Sequence, residues 1–387
     1  MIVRDFLQWI RTAPASDRAE ATSALARAYL YSNLSPDDLG AAEGAMLMLL
    51  DDPSPLVRRS LADALAASPD APPAIVLALA ADQPQIAAPV YALSPLFVDA
   101  DLVDAVATAG SAIQTAIASR AGLPRSVAAA IAEIGTAESC LILVENFDAD
   151  IAPFSLDRIV DRFGHLAALR EALLVRDDIP AATRQALVIK LSETLAGFVA
   201  GRAWLDPDHA RRVAREACEK ATVTIAADAP QTELGPLIRH LCASGQLTAG
   251  LILRALLSGN IVLFEEALAE LAGMPVARVS GLIHDRGAAG LRALFEKAEL
   301  PASTYPAFKE AVEALREGVL LEPGGATRLK RRMIERVLTR CENEDLDDLA
   351  PLLTLLRRFA TEAAREEARL FCDELAALDY DEHSAAA

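Results

Sequence analysis

The hydrophobic positions of this chain recur at helical spacing in short segments. In SPLVRRSLADALAAS, which begins at residue 54, the apolar residues Leu56, Val57, Leu61, Ala64 and Leu65 fall on one helical face and the charged residues lie off it. We find no convincing run of alternating residues of the kind that forms a strand. The pattern predicts helices of about 10 to 15 residues, separated by Pro, Gly or Asp.

Prolines punctuate this pattern in a recurring way. In RAGLPRSVAAAI an apolar residue precedes Pro124 and another apolar residue, Ile131, follows eight places after the first. The same arrangement surrounds Pro180, Pro275 and Pro301. Proline suits the first turn of a helix, where its missing N–H has no partner, so the four copies predict four helix starts. The separations between these prolines are 56, 95 and 26 residues, which favours a degenerate repeat over a regular one.

Short amphipathic helices must pack against one another to be stable. An acidic turn followed by a helix with Val or Ile near its start occurs at 51, is echoed at 81 and is echoed again at 147. This order is HEAT-like, and it predicts two-helix units of roughly 30 to 45 residues. The predicted fold is all-α: a degenerate HEAT-like α-solenoid of stacked antiparallel helix pairs, with a further helical C-terminal subdomain.

Composition shifts along the chain predict its division. We expect an N-terminal helical cap at 1–50, the solenoid at 51–227, a C-terminal helical subdomain at 228–378 and a disordered tail at 379–387. The boundary near 228 follows a long charged segment that ends in a proline-bearing break.

One long segment also resembles a known family. The matching parts include Arg58-Arg59, LADAL, DAPPAIVLALAAD, APVYALSP, DADLVDAV and AIASRAGLP, in that order. They resemble an uncharacterised bacterial family with HEAT-like helices, catalogued only as a domain of unknown function. The likeness covers most of residues 45–200, with a weaker part at 245–300. The resemblance implies a helical fold and supplies no catalytic, cofactor-binding or metal-binding residue.

Composition and charge narrow the functional classes. The chain has 387 residues, of which 53% are hydrophobic and 5% aromatic, and a net charge of −18. This charge opposes a dominant role in binding nucleic acid or an anionic membrane. The longest apolar run is about half of the ~20 residues that a membrane span requires. Five separate cysteines without a C-x-x-C pair predict a reducing compartment, so we expect a cytoplasmic protein.

The clearest local feature is a basic segment, RLKRRMIERVLTR, just after Gly324-Gly325. Its cations are Arg328, Lys330, Arg331, Arg332, Arg336 and Arg340. A glycine-rich turn before a helix can bind a phosphate through free amides, with arginines as further donors. The cations extend along the whole helix, however, and an acidic segment follows directly. A solvated face, or a docking stripe neutralised by those acids, is the alternative interpretation.

Other candidate chemistry is sparse. The five histidines are far apart and no zinc-type spacing occurs, and no nucleotide-binding or nucleophile motif is visible, so no catalytic, cofactor or metal residue is assigned. Trp204, just before Asp206-Pro207, is a further candidate for contact with a partner, because exposed tryptophans are enriched at interfaces.

Three hypotheses of function follow. The first is a non-enzymatic scaffold or adaptor whose solenoid groove holds a protein or peptide partner with a basic or amphipathic segment. The second is nucleic-acid or nucleotide binding through the basic helix at 328–340. The third is a metabolite-binding sensor or enzyme with a dispersed groove site.

Overall fold

The computed structural model describes residues 9–10, 12–285, 288–317, 329–342 and 349–385. Within these ranges the regular structure is helical and contains no β-strand, which confirms the all-α prediction. The chain divides into two compact units, unit 1 (Met1–Ile179) and unit 2 (Pro180–Ala387).

Eleven helices are described in unit 1. They are α1 (Ala15–Tyr31), α2 (Pro36–Leu49), α3 (Pro55–Leu65), α4 (Pro73–Ala80), α5 (Pro84–Leu93), α6 (Asp99–Thr108), α7 (Ser111–Ala118), α8 (Arg125–Ile134), α9 (Ala137–Glu145), α10 (Pro153–Phe163) and α11 (Ala167–Val175).

Nine of the eleven helices described in unit 1 pack in two rows. In row one, α1, α3, α5, α7, α9 and α11 each contact the next helix of the series; in row two, α6, α8 and α10 do the same. The row-one helices from α3 onward begin at 55, 84, 111, 137 and 167, so 29, 27, 26 and 30 residues separate successive starts. These intervals lie at or just below the lower end of the roughly 30 to 45 residues that the sequence predicted for a two-helix unit, because these helices have only 8 to 11 residues each.

Most of the predicted core positions of unit 1 are buried. Val57, Leu61 and Leu65 of α3 are inaccessible to solvent, and Ile131 of α8 is also fully buried. Leu56 was placed on the same buried face and is 53% exposed, so that assignment is wrong. Ala62 is buried on that helix instead, which rotates the apolar face by part of a turn toward the 57, 61, 62 and 65 positions.

Polar side chains close the ends of the row-one helices. The last carbonyls of a helix lack partners within it. Three side chains, each located just after a row-one helix, donate hydrogen bonds to the last carbonyls of the row-one helix before that one. The distances are 2.6 to 3.3 Å. The bonds run from Arg120 to Tyr91 and Ser94, from Asn146 to Ala118 and Arg120, and from Arg176 to Val144 and Asn146. We refer to Arg120, Asn146 and Arg176 as the capping series.

Row two has a similar contact. Arg162 of α10 donates to the carbonyls of Ala132 and Gly135 at the end of α8, both at 2.7 Å. Neighbouring repeats of unit 1 are thus joined by hydrogen bonds as well as by apolar packing.

Ten α-helices are described in unit 2. They are α12 (Ala181–Gly201), α13 (Pro207–Asp228), α14 (Gln231–Ala243), α15 (Ala249–Ser258), α16 (Ile261–Ala272), α17 (Val276–His284), α18 (Ala288–Lys297), α19 (Tyr305–Arg316), α20 (Arg331–Glu342) and α21 (Ala350–Ala385).

Helix α15 lies at the centre of unit 2. Every residue from 251 to 258 is buried. Leu251 and Ala255 pack into an apolar cluster with α12, α13 and α14, and Leu256 belongs to a second cluster that extends to α21. The predicted boundary at 227/228 falls inside this unit, because Val223 of α13 and Leu237 of α14 share the first of these clusters.

A buried arginine also joins three helices of unit 2. Arg254 of α15 is 2% exposed, and its two terminal nitrogens donate to the carboxylate of Glu362 on α21, both at 2.8 Å. Its Nε lies 4.0 Å from the carboxylate of Glu219 on α13, and the guanidinium stacks over the ring of Phe359 at 4.6 Å. We refer to Glu219, Arg254 and Glu362 as the Arg254 cluster.

Three of the four proline motifs mark helix starts. Pro124, Pro180 and Pro275 are the N-cap residues of α8, α12 and α17, one position before the first turn where the sequence placed them. Pro301 begins a 3₁₀ turn (Ala302–Thr304) that leads into α19. The helix α21 extends through most of the stretch at 379–387 that the sequence predicted to be disordered; residues 386–387 lie outside the described ones.

Candidate interaction surface

The helices α12 and α13 form a hairpin whose outer half is exposed. Buried side chains of α12 are confined to its first two turns, between residues 181 and 187. On α13, Ala210 is the one buried residue before Thr222. The outer part of the hairpin, residues 191–213, is therefore held mainly by contact between its own two helices.

Local backbone chemistry sets the turn of this hairpin. Ala203 adopts a left-handed conformation with φ of 55°, and the N–H of Trp204 donates to the carbonyl of Val199 at 3.2 Å. This is the pattern of a helix that ends by reversing direction. Asp206 then caps α13 by accepting from the amides of Asp208 and His209 at 3.0 and 3.2 Å, with Pro207 in the first turn.

The reversal brings aromatic side chains together at the surface. The rings of Phe198 and Trp204 meet edge to face with centroids 5.8 Å apart. Phe198 is 50% exposed and Trp204 is 64% exposed. Arg202 lies over both rings, with its guanidinium carbon 4.7 Å from the Phe198 centroid and 5.9 Å from the Trp204 centroid. Such contacts hold the side chains in a defined arrangement.

An apolar stripe continues from these rings along α12. Leu191, Leu195 and Phe198 are all exposed and have i, i+4, i+7 spacing, so they share one face of the helix. We define the hairpin surface as Leu191, Leu195, Phe198, Trp204 and Leu205. Single exposed apolar residues are common in proteins, whereas a contiguous group with an exposed tryptophan is typical of a binding surface.

The basic helix predicted from the sequence has a different character. Its Arg331 pairs with Glu335 at 2.6 Å and Arg336 pairs with Glu317 at 2.6 Å. Arg340 lies 3.9 Å from Glu310 of α19. These arginines are matched by acids of unit 2, so they do not form an open cluster of phosphate donors.

The two other cations of that segment that the structure describes also have partners. Lys330 and Arg332 also interact with other groups of the protein. Arg328 and Gly324-Gly325 lie outside the described residues. The opposite face of α20 is apolar and buried through Met333, Ile334 and Val337.

The sequence named Trp204 as a candidate for contact with a partner, which stays a prediction, and it did not point to the rest of the hairpin surface. The signal was present in LSETLAGFVAG, where Leu191, Leu195 and Phe198 have helical spacing. The same spacing predicts a buried face equally well, and the solenoid was expected to continue through this segment. Only the position of α12 shows that this face is exposed.

The residues that the structure describes contain neither a candidate membrane-spanning helix nor a candidate metal-binding group. None of the helices in these ranges combines the length and the apolar character needed to cross a bilayer. Within the same ranges, no group of three or more His, Cys, Asp or Glu side chains is arranged to hold a metal ion.

Comparison with known proteins assigns a family. A family model described as an uncharacterised protein conserved in bacteria (DUF2336) matches residues 86–347. The match begins later than the resemblance at 45–200 and continues beyond the weaker part at 245–300, so it includes the hairpin surface and the basic helix. Neither the curated proteins nor the solved structures contain a match to this chain. Because the family model covers most of its length, the chain belongs to the DUF2336 family.

Proposed function

We propose that this protein is a non-enzymatic scaffold or adaptor that binds a protein partner through the hairpin surface. The observation that carries the proposal is the exposed stripe of Leu191, Leu195 and Phe198, which ends at Trp204. Tryptophan and other aromatic residues contribute disproportionately to binding energy when a partner covers them.

The shape of the stripe favours a helical partner segment. An amphipathic helix binds a groove or a helix face through anchors at i, i+3 or i+4, and i+7, which is the spacing that α12 presents. The net charge of −18 favours a partner segment with basic flanks, because it attracts such a segment from a distance. The occupant we propose is therefore an amphipathic helix with basic residues beside its apolar face.

We also propose an architecture for unit 1 and a cellular location for the protein. The two rows of helices in unit 1, with a repeat of 26 to 30 residues, support a HEAT-like α-solenoid as the arrangement of that unit. The five cysteines are separate along the sequence and include no C-x-x-C pair, which supports a reducing compartment, and we place the protein in the cytoplasm.

A comparison of matched variants tests the binding proposal. The full chain and its Trp204→Asp and Leu195→Asp variants would be used as baits in the native cell with mild crosslinking. The control is Leu77→Asp, which changes a residue of unit 1 that is 58% exposed. We expect one protein to be recovered with the unchanged chain and the control, and to be lost with both hairpin variants.

The recovered protein is then purified and titrated against the same four chains. Loss of a buried tryptophan anchor costs about 2 kcal/mol or more, so Trp204→Asp is expected to weaken binding roughly thirtyfold. Equal dissociation constants for the hairpin variants and the control would overturn the proposal.

A further inference from the structure

A cleft of about 690 Å³ lies on the inner side of the same hairpin. Its walls come from α12 and α13, and its inner end is closed by the turn before α15. Ile189, Ala196 and Ala200 form its apolar wall on α12, and Leu251 lies at the inner end. The other walls carry polar and charged side chains, among them Glu193, Arg211, Arg215 and Glu219. A cleft of this volume that combines an apolar wall with polar groups is suited to a small organic molecule.

Glu219 is the polar group at the inner end of the cleft. Its side chain is 15% exposed. Among the described residues its carboxylate accepts one hydrogen bond, from the hydroxyl of Thr248, at a long 3.4 Å. A carboxylate has room for several more donors, so most of its hydrogen-bonding capacity is unused.

The nearest cations to Glu219 hydrogen-bond other carboxylates. Arg254 gives both terminal nitrogens to Glu362, and its buried Nε has no hydrogen-bond partner at 4.0 Å from the Glu219 carboxylate. The ammonium of Lys220 lies 3.2 Å from Glu366 and 3.7 Å from Glu362. In the described structure Arg254 and Lys220 thus direct their hydrogen bonds to Glu362 and Glu366, and Glu219 is the one of the three carboxylates that lines the cleft.

The cations at the outer end are less confined. Arg211 is paired with Asp208, and Arg215 is exposed to solvent. Burial raises the pKa of Glu219, although the charge of Arg254, the Thr248 hydroxyl and the charge of Arg215 act in the opposite direction. A buried carboxylate with this balance gains free energy when a positive charge is placed beside it.

We propose that the cleft binds a small primary ammonium compound, with the ammonium on Glu219 and a hydrocarbon chain along the apolar wall of α12. The ammonium would supply the donors that Glu219 lacks, and the apolar chain would cover Ile189, Ala196 and Ala200. The site is separate from the proposed partner surface, because none of the residues that line the cleft belongs to the hairpin surface.

Two ligands of equal length and opposite charge test the proposal on the purified full chain. Hexylammonium and hexanoate are titrated separately at pH 8, by calorimetry and by the shift in Tm, at concentrations up to about 10 mM. We expect saturable binding and a rise in Tm with hexylammonium, and neither with hexanoate. Equal responses to both ions, or no saturable response to hexylammonium, would overturn the proposal.

Variants then assign the site. Glu219→Gln keeps the shape of the side chain and removes its charge, and we expect the dissociation constant for hexylammonium to rise at least tenfold. Ala196→Leu fills the cleft while leaving Glu219 unchanged, and it is expected to abolish binding. The control Glu296→Gln changes an exposed carboxylate on α18 and should bind as the unchanged chain does.

Each variant is first checked for its unfolding midpoint, so that a loss of binding is compared only among folded chains. Undiminished binding by folded Glu219→Gln would show that the ammonium is not held by this carboxylate, and the proposal would be wrong.

Discussion

Polar contacts join helices in both units, but the bonded residues are close in sequence in unit 1 and far apart in sequence in unit 2. In unit 1 the capping series connects residues 26 to 32 positions apart, about one repeat. In unit 2 the Arg254 cluster connects α15 to α21, and its two best-bonded residues are 108 positions apart. Local contacts form at a small cost in chain entropy, whereas distant contacts require most of a unit to be in place.

The difference predicts where each unit is vulnerable. A change in unit 1 should affect one repeat and its neighbours, while a change at Arg254 should affect helices from α13 to α21. The following four predictions test this contrast, and hydrogen exchange in a urea series can assign each loss to a unit.

The largest effect is expected from Arg254→Ala. The change leaves Glu362 without its two charged hydrogen bonds and removes the nearest cation from Glu219, so the free energy of unfolding of unit 2 should fall by about 3–5 kcal/mol. The control is Arg292→Ala, which removes an exposed pair on α18 and should cost less than about 0.5 kcal/mol. A loss at Arg254 no larger than that of the control would show that the cluster does not hold unit 2 together.

The next effect concerns the apolar core of unit 1. Ile131→Ala removes a fully buried side chain and should lower the free energy of unfolding by about 2–5 kcal/mol, and Leu61→Ala should do the same. Ile134→Ala on the same helix is the matched control, because Ile134 is 48% exposed. Denaturation in urea measures the difference, and a loss below about half a kcal/mol at Ile131 would contradict the assigned buried face.

A smaller loss is expected in the capping series. Asn146→Ala removes the donor for the carbonyls of Ala118 and Arg120, and leaving such groups unpaired costs about 1–3 kcal/mol. Exchange should accelerate at the end of α7 and its neighbours and stay unchanged in unit 2. The neighbouring Glu145→Ala, at an exposed position, should have little effect; if it matches Asn146→Ala, the caps are not the cause.

The smallest change should stabilise the hairpin. Ala203 has a left-handed φ of 55°. Glycine adopts this conformation without strain, whereas for an alanine it is unfavourable by roughly 1 kcal/mol or more. Glycine also increases the entropy of the unfolded chain, so the net gain from Ala203→Gly should be less than about 1 kcal/mol. A measured loss of stability in unit 2 would mean that the turn tolerates Ala203 without strain.

The sequence predicted most of unit 1 because the contacts there are local. The helix start at Pro124 follows from proline chemistry, and the buried positions Leu123 and Ile131 follow from helical spacing. The misplaced residue, Leu56, shows the limit of that reasoning. Spacing alone defines a face to within part of a turn, and packing against the neighbouring helices selects the exact set of buried residues.

Unit 2 was less accessible to sequence reasoning. Nothing near Arg254 indicates that Glu362 lies beside it, because no local pattern joins residues 108 positions apart. The basic segment at 328–340 stands out by its composition, and its acidic partners Glu310 and Glu317 lie outside it, on α19 and directly after that helix. The stripe on α12 has the spacing of a buried face, and only tertiary structure distinguishes an exposed apolar face from a core.

The capping series also gives unit 1 a direction with respect to protein synthesis. Arg120, Asn146 and Arg176 each complete the helix end of the repeat that precedes them, never of the repeat that follows. A repeat that has left the ribosome therefore keeps bare carbonyls until roughly one further repeat has been translated, since domains emerge from their N-terminal side. A truncation of unit 1 from its C-terminal side would therefore leave the last retained repeat with uncapped carbonyls. An inserted repeat would instead supply a donor for the repeat before it and carbonyls for the donor of the repeat after it.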